Sequence, residues 1–347
     1  MLIAVFGTPS PLTYWITNFI RTTCDIVYGA HCFITPITIE NLREGWAARE
    51  GRPVVIQSVI PQREIVDLFV ELEAPIYLVA DDPVDVVMYV KASHNLQFRE
   101  AARFASQSFS ILSNINSYSN IEIVDASWYN LSASQLLERI AVWFGLRIPN
   151  DKYEAVLQHF VTHDGERRHQ SVLSLVVHSD PLARQPGAYM HLYDPIEEKI
   201  INDVIIQYGK LLHSTGTDII VWPREIFPDR DNLDRILDGP RPLLGPARIL
   251  FGGHTLHLPA GKWRAVIDIE VLNNHSRNRL IAQVYAGEKM LCMVRGDLPV
   301  SGRFAVDVDF AIQDGYYPVQ VVLAIAEGAI EGEILLHSCM FTRQDCV

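Results

Sequence analysis

The sequence predicts two parts: an α/β domain with a doubly wound, mostly parallel sheet over residues 1–240, and an all-β antiparallel sandwich over residues 247–347. Three observations carry this. Short apolar runs alternate with helical stretches in the first half, the rhythm of parallel strands joined by crossover helices. Period-2 alternation of apolar and polar residues takes over after residue 247. Between them lies a proline- and glycine-rich connector, Asp238-Gly239-Pro240-Arg241-Pro242-Leu243-Leu244-Gly245-Pro246. A chain of 347 residues with 49% hydrophobic content can bury two cores.

Leu2-Ile3-Ala4-Val5-Phe6 is a buried strand that breaks at Gly7 and re-emerges as a helix, with Ser10 at the N-cap and Pro11 at the first helical position. That strand–turn–helix is the geometry that holds anions at a helix N-terminus. Residues 54–59 read as a second strand and 62–73 as its helix; residues 76–79 and 121–124 are further strands, with 98–112 helical between them. From 151 to 216 the pattern is helical. Asp194 caps and Pro195 opens the clearest helix, Glu197 and Glu198 lie in its first turn, and Gly216 stands just past its end. Residues 219–222 form one more strand of undetermined place. Beyond the connector, Trp263, Ala265, Ile267, Ile269 and Val271 alternate with Arg264, Asp268 and Glu270, and Phe304, Val306, Val308 and Phe310 alternate with Arg303, Asp307 and Asp309. Turn signals divide this region into about eight strands.

A net charge of -12 without an extended lysine- and arginine-rich patch argues against a general nucleic-acid binder. Five cysteines (Cys24, Cys32, Cys292, Cys339, Cys346) without a CxxC pair fit reduced thiols. No run approaches the length of a membrane span, and the N-terminus lacks a cationic leader, so the expected location is the cytoplasm. Among twelve histidines, His159 and His163 are four apart with Asp164 following, but HExxH is absent and no metal site is assigned; His254 and His257, three apart in a strand, would face opposite ways.

Gly7-Thr8-Pro9 with Thr13 and Trp15 resembles the donor loop of sulfotransferases, which cradles the phosphosulfate end of phosphoadenosine phosphosulfate. Ser10 stands where the family has a cation, Pro11 where it has serine, Leu12 glycine and Tyr14 a second threonine. Asp81-Asp82-Pro83-Val84-Asp85-Val86 resembles the family's Arg-Asp-Pro-x-Asp-Val turn, whose Arg and a later Ser hold the nucleotide's second phosphate group; the matching residues here are Asp81 and Tyr89. Residues 121–124 and 132–146 resemble a later strand and helix of the family, so the likeness spans roughly 1–150. Leu258-Pro259-Ala260-Gly261-Lys262-Trp263-Arg264 is similar to a turn of small jelly-roll modules that accompany bacterial glycan-processing enzymes.

The candidate anion loop is therefore Gly7, Thr8, Ser10 and Thr13. Glu64 is the candidate base and Arg63 the candidate anion-stabilising cation, since attack on sulfur needs the acceptor hydroxyl deprotonated. Arg167-Arg168-His169 is a small basic cluster that could face an anionic acceptor. In the sandwich, Asn273, Asn274, Arg277, Tyr316 and Tyr317 are candidates for stacking on and hydrogen bonding to a sugar. Two functions follow. One is a degenerate sulfotransferase-like protein, non-catalytic toward the usual donor, with a glycan-binding or scaffolding role in bacterial polysaccharide metabolism. The other is a transferase acting on a glycan hydroxyl through an altered donor site, and only there is phosphoadenosine phosphosulfate the implied cofactor. Ser10, Asp81 and Tyr89 carry the wrong chemistry for that donor, which favours the first.

Overall fold

A computed structural model describes the chain except residues 37, 117, 161–169, 185–187, 189–192, 213–217, 230–231, 238, 254–255 and 345–347, with backbone alone at 229 and 232–236. Gly216, His163, Asp164, Arg167, Arg168, His169, His254 and Cys346 thus lie outside the described residues. The chain forms two compact units: Met1–Gln97 with Asn114–His191, and Phe98–Ser113 with Leu192–Val347. No single cut separates them.

The first unit is built on five strands: β1 (Leu2–Gly7), β2 (Cys32–Ile34), β3 (Val54–Ser58), β4 (Ile76–Ala80) and β5 (Ile121–Asp125). They pair in parallel in the order β2-β3-β1-β4-β5. Its helices are α1 (Pro11–Tyr28), α2 (Ile39–Ala47), α3 (Arg63–Glu71) and α4 (Pro83–His94), then, past α5 (Phe98–Ser113), α6 (Ala133–Phe144), α7 (Asn150–Phe160) and α8 (Val172–Ser179). Successive strand residues face opposite layers. Ile3, Val5, Tyr77 and Val79 share one core with Leu12 and Phe19 of α1 and Leu136 and Ile140 of α6. Phe6 points the other way and meets Phe69 of α3 edge-on, ring centroids 5.5 Å apart. Both sheet faces are covered, the doubly wound arrangement expected. The sequence reading missed β2, whose three residues are too short to show a period.

In the second unit α9 (Pro195–Ile200), one π-helical turn (Ile201–Ile205) and α10 (Ile206–Leu211) run in series from the Asp194 cap. The strands are β6 (Ile219–Pro223), β7 (Pro228–Asp229), β8 (Asn232–Ile236), β9 (Arg241–Pro242), β10 (Arg248–Phe251), β11 (Gly261–Leu272), β12 (Arg279–Ala286), β13 (Lys289–Asp297), β14 (Gly302–Ile312), β15 (Val319–Ile325) and β16 (Glu333–Gln344). Two larger antiparallel sheets result, β10-β15-β12-β13 and β14-β11-β16-β6, with β9 also on β16, and β7 pairs β8 in a separate two-stranded ladder. Trp263, Ala265, Ile267, Ile269 and Val271 are fully buried, as their alternation demanded. The strand at 219–223 belongs here: Cys339 pairs Trp222 and Phe341 pairs Ile220. Helix α5 also belongs here. Its Ser106 hydroxyl accepts the His257 N–H at 3.1 Å, and its Gln107 donates to the Tyr316 carbonyl at 3.0 Å. Among the described residues no helix is long and apolar enough to cross a membrane, and Cys24, Cys32, Cys292 and Cys339 are free thiols.

Candidate functional site

The β1–α1 loop and the end of β4 meet at the C-terminal edge of the parallel sheet, where open α/β sheets place ligands. Gly7 is required there: a Cβ would stand 2.6 Å from Thr13 Oγ1 and 2.8 Å from Val79 Cβ. Thr8 N–H donates to the Val79 carbonyl at 2.9 Å, and Thr8 Oγ1 accepts the Asp81 N–H at 3.3 Å, locking loop to strand. Ser10, in extended geometry, caps α1 by accepting Thr13 N–H at 3.3 Å. Thr13 Oγ1 turns back to donate to the Thr8 carbonyl at 2.6 Å. Thr8, Ser10 and Thr13 are fully buried. Their hydroxyls are spent inside the loop.

Asp81, 3% exposed, completes this cluster. Its carboxylate accepts the Tyr129 hydroxyl at 2.7 Å and the Asp82 N–H at 2.9 Å, and the Ser10 hydroxyl bonds it as well. Tyr129 comes from the turn Ala126–Asn130 after β5. Burial pushes the Asp81 carboxyl up to about 6; those hydrogen bonds pull against the shift, and the neighbouring Asp82 charge adds to it. Its bonds come from hydroxyls and a backbone N–H, none from a cation among the described residues. Asp82 caps α4, accepting from Val84 N–H at 2.9 Å and Asp85 N–H at 3.3 Å, with Pro83 at the first position. Tyr89, one and a half turns on, donates its hydroxyl to Asp180 at 2.9 Å, its ring 6.1 Å from that of Tyr14. Each of the two residues matched to phosphate holders is thus bonded within the chain: Asp81 to Tyr129, Tyr89 to Asp180. Neither Tyr129 nor Asp180 carried a sequence signal, because each is recruited from a distant segment.

Arg63 and Glu64 open α3 and are exposed; Arg63 lies 3.6 Å from Asp67, one turn ahead. At 67% and 52% exposure such a pair contributes little.

The five sandwich candidates divide between two ends. Asn274 is fully buried: its amide donates to the Leu298 and Pro299 carbonyls at 3.4 and 3.2 Å and accepts from the Asn278 side chain at 2.9 Å. It holds the turn between β11 and β12. Asn273 and Arg277 sit beside it, exposed, with φ of 56° and 52°. At the opposite end, one β14 length or about 35 Å away, Tyr316 and Tyr317 lie in the loop between β14 and β15. There a cavity of about 500 Å³ is lined by Glu288, Lys289, Leu291, Gln313, Asp314 and Tyr317, among others. Tyr317 is 60% exposed. Gly287, at φ 58°, lets the β12–β13 turn pass close to its ring: a Cβ there would be 3.0 Å from the ring edge. Gly287 N–H reaches the Pro318 carbonyl at 3.1 Å, and Asp314 accepts the Tyr316 N–H at 3.0 Å, so turn and loop are held together. Tyr316 is half-buried. That the β12–β13 turn and the β14–β15 loop close on one cavity follows from strand pairing.

In the same unit a buried polar network joins His257, Ser106 and Tyr208, none of which the sequence linked. The Tyr208 hydroxyl donates to the His257 carbonyl at 2.6 Å, and burial pushes the His257 ring down to about 3, so it is neutral.

No protein-family model matches the chain, and no curated protein sequence matches it. Among solved structures, a mouse sulfotransferase complexed with PAP is similar at 11% identity, covering 61% of this chain and 86% of that one, with a TM-score of 0.42. The C-terminal CBM6 of a marine laminarinase from Zobellia galactanivorans is similar at 13% identity over 36% of this chain and 99% of that one, TM-score 0.24. A T13 particle of the virus IBDV is similar at 7% identity over 37% and 31%, TM-score 0.26. The fold described above rests on strand order and register, not on these likenesses.

Proposed function

We propose that the α/β unit is a sulfotransferase-like scaffold that does not use the phosphosulfate donor, and that the sandwich binds a glycan at its Tyr317 end. The observation that carries the first half is the Asp81 carboxylate inside the β1–α1 loop, on the hydroxyls of Tyr129 and Ser10. A second anion brought to that loop would face this charge in a site shielded from water, where like charges repel strongly. The second half is supported by an exposed aromatic ring beside a cavity that also offers carboxylate, amide and ammonium groups, the mixture of stacking face and hydrogen bonds that sugars use. Asn273, Asn274 and Arg277 are left out of that site by their distance from it.

Calorimetry of the full chain with adenosine 3',5'-bisphosphate tests the first half, and a glycan array tests the second. The expected result is no nucleotide binding and retention of at least one glycan class. Micromolar nucleotide binding would replace this reading with the transferase, with Glu64 as its base. Residues 247–347 alone are unsuitable for the array, since they lack β6 and α5.

A further inference from the structure

Four strands bound the two larger antiparallel sheets. Three are blunted against pairing. β10 is four residues long and its register shifts between Ile249 and Phe251. β6 ends in proline. β13 carries an extra residue where the register shifts opposite Val284 and Tyr285. β14 is different: it holds an unbroken register with β11 from Gly302 to Ile312, contains no proline, and pairs with no other described strand. Its inner face presents Phe304 and Val306 half-buried, while Val308 and Phe310 further along are buried. Two of its three charged side chains are engaged with its neighbour β11. Asp309 is bonded to Arg264 of β11 at 2.8 Å, and Arg303 to Asp268 of β11 at 2.9 Å.

We propose that β14 is the interface of a homodimer, pairing antiparallel with β14 of a second copy about a two-fold axis at Val306. The sign pattern selects this register. With the axis at Val306, Arg303 stands opposite the partner's Asp309, Ala305 opposite the partner's Asp307, and Phe304 opposite the partner's Val308. The ion pairs within each sheet then extend across the interface as two rows, Asp268–Arg303 continuing into the partner's Asp309 and the partner's Arg264. Moving the axis to Asp307 sets that carboxylate against its own copy, and moving it to Val308 sets Asp307 against the partner's Asp309. An axis at Ala305 keeps Arg303 near a carboxylate but shortens the ladder from residues 302–310 to 302–308. Like charges opposite one another destabilise a cross-strand pair, so the Val306 register is the one that combines a ladder over nine of the strand's eleven residues with charge complementarity.

Sedimentation equilibrium on the full chain reads the result directly. The expected mass is twice that of the 39.2 kDa chain. Ala305 is exposed on the outer face; Ala305→Asp sets a carboxylate against the partner's Asp307 at both symmetric positions, whereas Ala305→Lys sets an ammonium there. Ala305→Asp is expected to weaken dimerisation roughly tenfold or more while Ala305→Lys leaves it equal or tighter. Val306→Lys, which meets itself on the axis, is expected to weaken it as well. Thermal melts of each variant establish that the fold persists. A monomer at about 100 μM, or a dimer with the same dissociation constant for Ala305→Asp and Ala305→Lys, overturns the proposal.

Discussion

The β1–α1 loop and the Tyr317 end of the sandwich are both polar loops at strand ends, yet they treat their polar groups in opposite ways. In the first, Thr8, Ser10, Thr13, Asp81 and Tyr129 are buried and bonded to one another. In the second, Tyr317, Glu288 and Lys289 face solvent around an open cavity. Residue types alone mark both as candidate sites. What separates them is where the hydrogen bonds go, because a buried polar group must be satisfied and a group satisfied within the chain has little left for a ligand.

The sharpest way to break this contrast is to unpick the closed loop. Asp81→Ala leaves the Tyr129 and Ser10 hydroxyls without their acceptor and is expected to cost about 3 kcal/mol in urea unfolding. A loss below about 1 kcal/mol would show that the cluster is looser than its geometry. Asn274→Ala applies the same logic to a sandwich residue once grouped with the sugar contacts: about 2 kcal/mol of stability is lost, through the orphaned Asn278 amide, with glycan retention unchanged in whatever remains folded.

Tyr317→Ala is expected to do the reverse. Stability stays within about 0.5 kcal/mol because the ring is exposed, while affinity for any glycan found on the array falls about tenfold, or 1.4 kcal/mol. Unchanged retention would remove the ring from the site.

The pH response sharpens the comparison further. Burial holds the Asp81 carboxyl at about 6, above its ordinary value of 3.8, so the folded state binds the proton more tightly than the unfolded chain. The cost of burying the charge is fully present above that folded value and is relieved as the pH falls. Going from pH 7 to pH 5 should therefore stabilise the wild type by about 1 kcal/mol relative to Asp81→Asn, which keeps the shape and loses the titration. Equal slopes for the two proteins would mean that Asp81 is not desolvated. Last and smallest, Arg277→Ala is expected to change neither stability nor glycan retention by more than about 0.5 kcal/mol.

The scaffold was legible where the signals are local. Gly7, Ser10 and Pro11 announced the turn and cap, and the alternation from Trp263 to Val271 announced a strand with one buried face. Asp81 stood out in the sequence as a carboxylate at a position matched to a phosphate holder, but its own partners were not visible. Tyr129 lies 48 positions away in sequence and His257 lies 151 from Ser106, and nothing in either neighbourhood encodes the other. The place of β6 in the sheet, the grouping of α5 with the sandwich and the placing of Asn274 and Tyr317 at opposite ends of β14 were hidden for the same reason.

By itself, then, the order of residues determined most of the longer strands and several of the helices, which face of the sandwich strands is apolar and where α1 and α9 start, because periodicity, caps and turns act over a few residues. Tertiary structure alone decided which polar groups are used up and which remain open to solvent. Hydrogen-bond satisfaction is settled between segments far apart in the chain, and it exists only once they have come together.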